Sequence, residues 1–308
     1  METVEFAPGA LSLPDMRRIR AGAPVKPDPA ARPAVERARA VVTGICARET
    51  GVYGVNTGFG RLAQTRIPAD QLARVQHNLV LSHAAGVGEA LPGPVVRLTL
   101  ALKINALAQG HSGVRWTLIE ALTRLLEHDV LPEIPAQGSV GASGDLAPLA
   151  HMSAVLLGEG AAYHRGERVS APAGLAAAGL APLSLAAKEG LALLNGTQVS
   201  TALALDALFC IEDVFAAAVT AGAMSVDAAK ASAIPFDPRI QALRGHRGQR
   251  DVAAVYAELL RDSPIVASHA NCGKIQDPYS LRCQPQVMGA CLDGLHAVAG
   301  TLAAEANA

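Results

Sequence analysis

Ala142-Ser143-Gly144, within Gly138-Ser-Val-Gly-Ala-Ser-Gly-Asp-Leu-Ala-Pro-Leu-Ala-His151, is a tripeptide whose residue types let a backbone make its own electrophile. Attack of the Gly144 amide nitrogen on the Ala142 carbonyl carbon, with loss of water including the Ser143 hydroxyl, leaves a five-membered imidazolone bearing an exocyclic methylidene. Glycine lacks the Cβ that blocks close approach, alanine is the smallest chiral neighbour, and serine brings a β-hydroxyl that can leave. The residues that follow predict a helix: Leu149, Met152 and Leu156 recur at helical spacing, Asp145 is the expected N-cap, and Gly158 ends the run. Unpaired N–H groups and the positive end of the helix dipole then face the triad and favour oxyanion character on the ring carbonyl.

Other chemistries fit these residues less well. Gly141-Ala-Ser143 begins like the strand-to-helix elbow of a serine hydrolase, but Asp145 stands where the second glycine belongs and Pro135-Ala-Gln-Gly-Ser139 is a poor strand. Gly58-Phe-Gly60-Arg-Leu-Ala63 meets a relaxed dinucleotide pattern without a convincing strand before it or an acidic residue about twenty positions on. No Lys-Ser/Thr follows those glycines, so a P-loop fails too. His269, Cys272, Cys283 and Cys291 lack the paired spacing of a zinc site.

The string around Ser143 resembles the histidine ammonia-lyase family, within the aromatic amino-acid lyases that use a methylidene-imidazolone group. Tyr53-Gly-Val-Asn-Thr-Gly-Phe-Gly60, Ser82-His83-Ala-Ala-Gly86, Asn195-Gly-Thr-Gln198 and Gln276-Asp-Pro-Tyr-Ser-Leu-Arg-Cys-Gln-Pro-Gln286 carry the resemblance further, in the family's order. It implies elimination of ammonia from L-histidine to give trans-urocanate, the first step of histidine degradation. The electrophile comes from Ala142, Ser143 and Gly144, and no nicotinamide, pyridoxal phosphate, metal or other external cofactor is required. Tyr53 is then the base, on a mobile loop. Asn195 orients the substrate amine or the imidazolone carbonyl, and Arg282 holds the carboxylate through its guanidinium fork. Tyr279 and Gln276 share that face if their segment is helical. His83 bonds the substrate imidazole and separates a histidine enzyme from the related phenylalanine or tyrosine lyases and aminomutases.

That chemistry is coherent. An α-ammonium leaves poorly and a β-hydrogen is weakly acidic, so elimination needs an electrophile on one side and a base on the other. Tyrosine ordinarily ionises near pH ~10, so positive charge or helix dipoles must favour the phenolate. The resemblance further implies a mainly α fold: an electrophile-bearing helical domain with small β elements over 1–196, then over 197–308 the first part of a long-helix bundle of the fumarase/aspartase-like type, here incomplete. Family members form homotetramers whose active sites draw on several subunits, and they continue past residue 308. A folded, associating but catalytically impaired fragment is therefore the second expectation.

Composition agrees with a soluble enzyme. Half of the 308 residues are hydrophobic but only 3% aromatic, so alanine and leucine carry the apolar share, which favours helices. A net charge of −1 without a basic stripe argues against nucleic acid. Asp206, Glu212 and Asp213 interrupt the most apolar stretch, so no membrane span is expected. Five scattered cysteines, and a start without a basic, apolar leader, predict free thiols and a cytoplasmic chain. Periodicity predicts helices over 12–20, 41–49, around Leu72-Val75-Leu79 and Leu118-Leu122-Leu125, over 197–234 and 252–260, and after 284, with a small hairpin at 163–169.

Overall fold

The structure, a computed structural model, describes residues 1–48, 50–60 and 63–308. Glu49, the expected end of the 41–49 helix, and Arg61-Leu62 of the dinucleotide-like stretch lie outside the described residues. The chain is mainly α and forms two compact units, Met1–Asp206 with Ala303–Ala308, and Ala207–Leu302.

In the first unit the elements run β1 (Val4–Phe6), α1 (Leu13–Arg20), β2 (Val25–Pro27), α2 (Arg32–Cys46), α3 (Leu72–His83), β3 (Val87–Ala90), α4 (Gly93–Ala108) and α5 (Trp116–Glu127). There follow β4 (Val130–Pro132), β5 (Pro135–Gln137), α6 (Leu146–Leu156), β6 (Ala161–His164), β7 (Glu167–Ser170), α7 (Ala171–Ala177), α8 (Glu189–Leu194) and the start of α9 (Gln198–Ala228). The strands make small sheets only: β1 with β2 in parallel, β3 with β5 antiparallel, and β4-β6-β7. Arg165 and Gly166, both at positive φ, turn the predicted hairpin, as a two-residue connection requires.

Local chemistry explains most of these elements. Ser12 caps α1 through a reciprocal box with Asp15. Helix α2 begins well before the expected 41, with a proline in its first turn. Leu118, Leu122 and Leu125 form the buried stripe of α5. Helix α4 was not foreseen: from Val95 to Ala108 nearly every residue is buried, so it has no polar face for periodicity to find.

The second unit holds the rest of α9, α10 (Pro238–Arg244), α11 (Arg247–Leu259), α12 (Pro264–Ser268), α13 (Tyr279–Arg282) and most of α14 (Gln284–Ala306). Its core gathers Val219, Val226, Phe236, Val252 and Tyr256. The Tyr256 hydroxyl, buried with that ring, donates to Gln284 Oε1 at 2.8 Å. Helix α9 stops at Ala228, short of the expected 234. Lys230 takes a left-handed conformation (φ 50°) and the Ala231 amide reaches back to the Val226 carbonyl, closing the helix as glycine usually does. Helix α14, with mean hydropathy 1.4 and 6% of its most apolar stretch buried, is by length and composition alone long and apolar enough to cross a bilayer, a test that a helix packed among other helices also passes. The charges that break up 206–213 have no dense counterpart there.

Helices α11 and α14 cross at two glycines. A Cβ on Gly289 would stand 2.4 Å from the Gln249 Cα, and one on Gly248 would stand 2.3 Å from the Gly289 carbonyl oxygen. Asp293 uses this closeness to accept the Gly248 amide at 2.9 Å in the first turn of α11. Gly289→Val is expected to cost about 1–3 kcal/mol by forcing the helices apart. Urea unfolding checks this, and an unchanged midpoint would show that the crossing is not tight in solution.

Candidate active site

The Ala142-Ser143-Gly144 turn immediately precedes α6 and is compressed. Gly141, Ser143 and Gly144 all have positive φ (72°, 60° and 85°), and for serine that is a strained backbone. Gly144 pairs with Gly196 in an isolated parallel bridge. A Cβ on Gly144 would lie 2.2 Å from the Gly196 carbonyl oxygen and 3.0 Å from its nitrogen, so sterics as well as φ require glycine. Ser143 itself is exposed.

Asp145 does not cap α6, contrary to the sequence expectation. Its amide donates to the Gly196 carbonyl at 2.8 Å. Its buried carboxylate accepts from Ser139 Oγ (2.9 Å) and from the amide and hydroxyl of Ser200 (both 2.8 Å). Ser200 lies in the first turn of α9, so Asp145 caps that helix instead. Pro148 has no N–H, so the first turn of α6 has the Leu146 and Ala147 amides to offer.

Asn195 closes α8, its Nδ2 donating to the Leu191 carbonyl at 3.0 Å. The loop that carries Tyr53 lies against the same helix. Gly54 (φ 73°) abuts Leu191, where a Cβ would approach Cδ2 to 2.3 Å. Tyr53 is 60% exposed and meets Phe59 edge-on at 5.9 Å. His83 ends α3, with Nδ1 2.8 Å from the Leu79 carbonyl oxygen. A carbonyl only accepts, so Nδ1 carries a proton and Nε2 is the ring nitrogen left to meet a ligand.

Three further residues escaped the sequence analysis. Glu189, wholly buried at the start of α8, pairs with Arg115 at 2.6 Å and accepts the Arg115 and Ala186 amides. Burial pushes its carboxyl up, but those donors outweigh burial and hold it below the usual range. Lys103, on α4, donates to the Asn195 carbonyl at 2.8 Å. His151 Nε2 accepts the Gly86 amide at 3.0 Å, tying α6 to the segment after His83. The signal available in the sequence was a charge set inside an apolar run, as in Ala-Leu-Lys103-Ile.

The second unit groups the other expected site residues. A cavity of about 450 Å³ is lined by Gln276 and Arg282, with Lys230, His269, Lys274 and Asp277. Arg282 stacks its guanidinium 4.2 Å above the Tyr279 ring and donates from Nε to the Asp277 carbonyl. Tyr279, 73% exposed, does not line the cavity. Helix α13 begins only at Tyr279, so Gln276 does not share a helical face with Arg282, as the sequence spacing had suggested. Both ring nitrogens of His269 face carbonyl oxygens, of Ile265 and Ala231, which leaves it poorly placed as a metal ligand.

A mainly helical chain with a strained Ala-Ser-Gly turn at the head of a buried helix defines the class, and similarity identifies the family. The sequence pattern of the aromatic amino acid lyases matches residues 11–308, and the chain belongs to that family. A histidine ammonia-lyase of Burkholderia mallei is 61% identical over 306 residues, 99% of this chain and 60% of that protein. Histidine ammonia-lyase from Trypanosoma cruzi superposes with a TM-score of 0.88 at 36% identity, covering 100% of this chain and 57% of that one. Pantoea agglomerans phenylalanine aminomutase gives 0.90 at 30% identity, over 99% and 62%. The chain thus spans about 60% of the length of the curated relatives it matches.

Burial holds the His151 imidazole below its ordinary value of 6.5, against a smaller upward pull from Glu133. Between pH 6.5 and that lower folded value, the unfolded chain binds a proton that the folded chain refuses. The contribution is therefore complete above 6.5 and is lost as pH falls through the folded pKa. Thermal unfolding at about pH 7.5 and about pH 5.5 should show a drop in Tm that shrinks in His151→Gln, whose amide oxygen can still accept the Gly86 N–H. An equal drop in both proteins would assign the loss to other groups.

Proposed function

We propose that this chain carries the electrophile-forming part of a histidine ammonia-lyase, a carbon-nitrogen lyase that eliminates ammonia from L-histidine to give trans-urocanate. The carrying observation is the compressed turn: Ser143 at φ 60° with Gly144 pressed against Gly196. That turn fits a methylidene-imidazolone, because ring closure needs the backbone to fold back on itself across Ala142-Ser143-Gly144 and needs no side chain at Gly144. Once formed, the group supplies an electrophile that captures the substrate amine.

The other residues supply binding and proton transfer. Tyr53, exposed on its loop, takes the β-proton at Oη, a step that requires its phenolate form. His83 Nε2, an acceptor when the ring is neutral, suits the N–H of a substrate imidazole, which phenylalanine and tyrosine lack; this favours a histidine enzyme over the sister lyases and aminomutases that share the fold. Asn195 orients the amine. In the second unit Arg282 binds the carboxylate, with Tyr279 stacked beneath it and Gln276 beside it. In this reading the protein is cytoplasmic and forms a homotetramer. The exposed Val287 and Val298 of α14 are then covered by neighbouring helices.

Intact mass tests the electrophile. The wild-type chain should be lighter than its sequence by two waters, and Ser143→Ala should lose that signature together with all urocanate production. Tyr53→Phe should keep the dehydrated mass while turnover falls roughly 10²–10⁴-fold, the usual share of a general base. Wild-type turnover in Ser143→Ala would remove the built-in electrophile from the mechanism. In protein extended to the relatives' length, L-histidine should be consumed faster than L-phenylalanine or L-tyrosine, and the reverse order would move the assignment to a sister lyase.

A further inference from the structure

Lys103 is 1% exposed in the middle of the most buried helix of the first unit. Its ammonium donates to the carbonyl oxygens of Asn195 at 2.8 Å and Ala192 at 3.3 Å. Both lie at the C-terminal end of α8, where a helix runs out of amide partners and its dipole favours a cation. The Asn195 carbonyl belongs to the peptide that enters Gly196. The peptide that leaves Gly196 is held through its carbonyl by the Asp145 amide at 2.8 Å. Gly196 is therefore fixed from both sides, by Lys103 and by the residue that follows the triad, and it is the wall against which Gly144 lies.

Stability alone is a poor reason to keep a lysine here. Burial pushes the ammonium down to about 7, against the upward pull of Asp145. A methionine would fill similar space without desolvating a charge. A buried ionisable group retained at such a cost, beside a candidate reacting turn, points to a role in the site.

We propose that Lys103 is a positioning residue for ring closure: by fixing the Asn195–Gly196 peptide it keeps the wall behind Gly144 in place, so that the Gly144 nitrogen stays directed at the Ala142 carbonyl carbon. The proposal rests on the reading that Ala142-Ser143-Gly144 cyclises. Lys103 touches neither the reacting atoms nor the substrate. It acts through one peptide plane.

Intact mass separates the two claims. If the wild-type chain does not lose two waters, the cyclisation reading fails and this proposal falls with it. Where the wild type does lose them, Lys103→Met is expected to fold with an unfolding midpoint at or above wild type, yet to dehydrate roughly tenfold or more slowly after synthesis, the scale of a small misplacement of reacting groups. Lys103→Arg, which restores a cationic donor, should recover most of the rate. A folded Lys103→Met that dehydrates at the wild-type rate overturns the proposal. So does a destabilised one whose dehydration merely follows its folded fraction, because Lys103 is then only a helix cap. If the methionine variant does not fold, Lys103→Gln is compared in the same way: slow dehydration of folded protein supports the role, and a wild-type rate overturns it.

Discussion

Where Gly144 meets Gly196 two backbones pass with no room for a side chain on Gly144, whose Cβ would strike the Gly196 carbonyl, while Gly196 itself sits at φ 136°, a backbone conformation that L side chains rarely adopt. Three helix ends are set by that contact. Helix α6 starts two residues after Gly144, α8 finishes two residues before Gly196, and α9 begins two residues beyond it. Asp145 joins them, with its amide on Gly196 and its carboxylate on Ser200 at the head of α9. A substitution that separated the two glycines would therefore disturb three helix termini together, which ties the shape of the turn to the packing of the first unit.

Helix α4 performs the complementary task for C-terminal ends. Arg97 donates to the carbonyls of Ile19, Gly22 and Ala23 at the end of α1 and the turn after it. Lys103 donates at the end of α8, and Asn105 Nδ2 to the Ala306 carbonyl at the end of α14. Each buried polar side chain satisfies carbonyls that a helix cannot satisfy alone. Asn307 completes the pattern by exchanging two hydrogen bonds with the backbone of Leu11. The polar groups inside this apolar helix thus act as fasteners, which is why they are buried and still paired.

Legibility in the sequence followed the physics of each element. Helices with one wet face, such as α5, announce themselves by period, and α1 announces itself by its Ser12-to-Asp15 box. Helix α4 has no wet face and left no period. The end of α9 depends on Lys230 adopting a conformation usually left to glycine, so residue type pointed the wrong way. Among candidate site residues, the reason for glycine at 144 was legible because it is local sterics. The partner of Asp145 was not: a carboxylate before a helix reads as that helix's cap, and only tertiary structure puts Ser200, 55 residues on, within its reach. The helical face expected to join Gln276 to Arg282 is missing for a related reason, since the short α13 starts after Gln276, although both residues line one cavity.

The strain at Ser143 has a chemical direction. A positive φ is unfavourable for an L-residue because Cβ crowds the neighbouring carbonyl, a penalty on the order of 1–2 kcal/mol. In the proposed ring closure, loss of the hydroxyl with the α-hydrogen turns the Ser143 Cα from tetrahedral to planar. The stereocentre that makes this conformation costly then no longer exists. Strain held before the reaction is released by it, and the same compression that disfavours the open turn favours the closed ring. Folding supplies that compression, because α6, α8 and α9 cannot all be seated unless Gly144 lies against Gly196. Under that proposal the electrophile is a consequence of packing: its reactants are three ordinary residues, and the fold holds them in a conformation that ring closure would relieve.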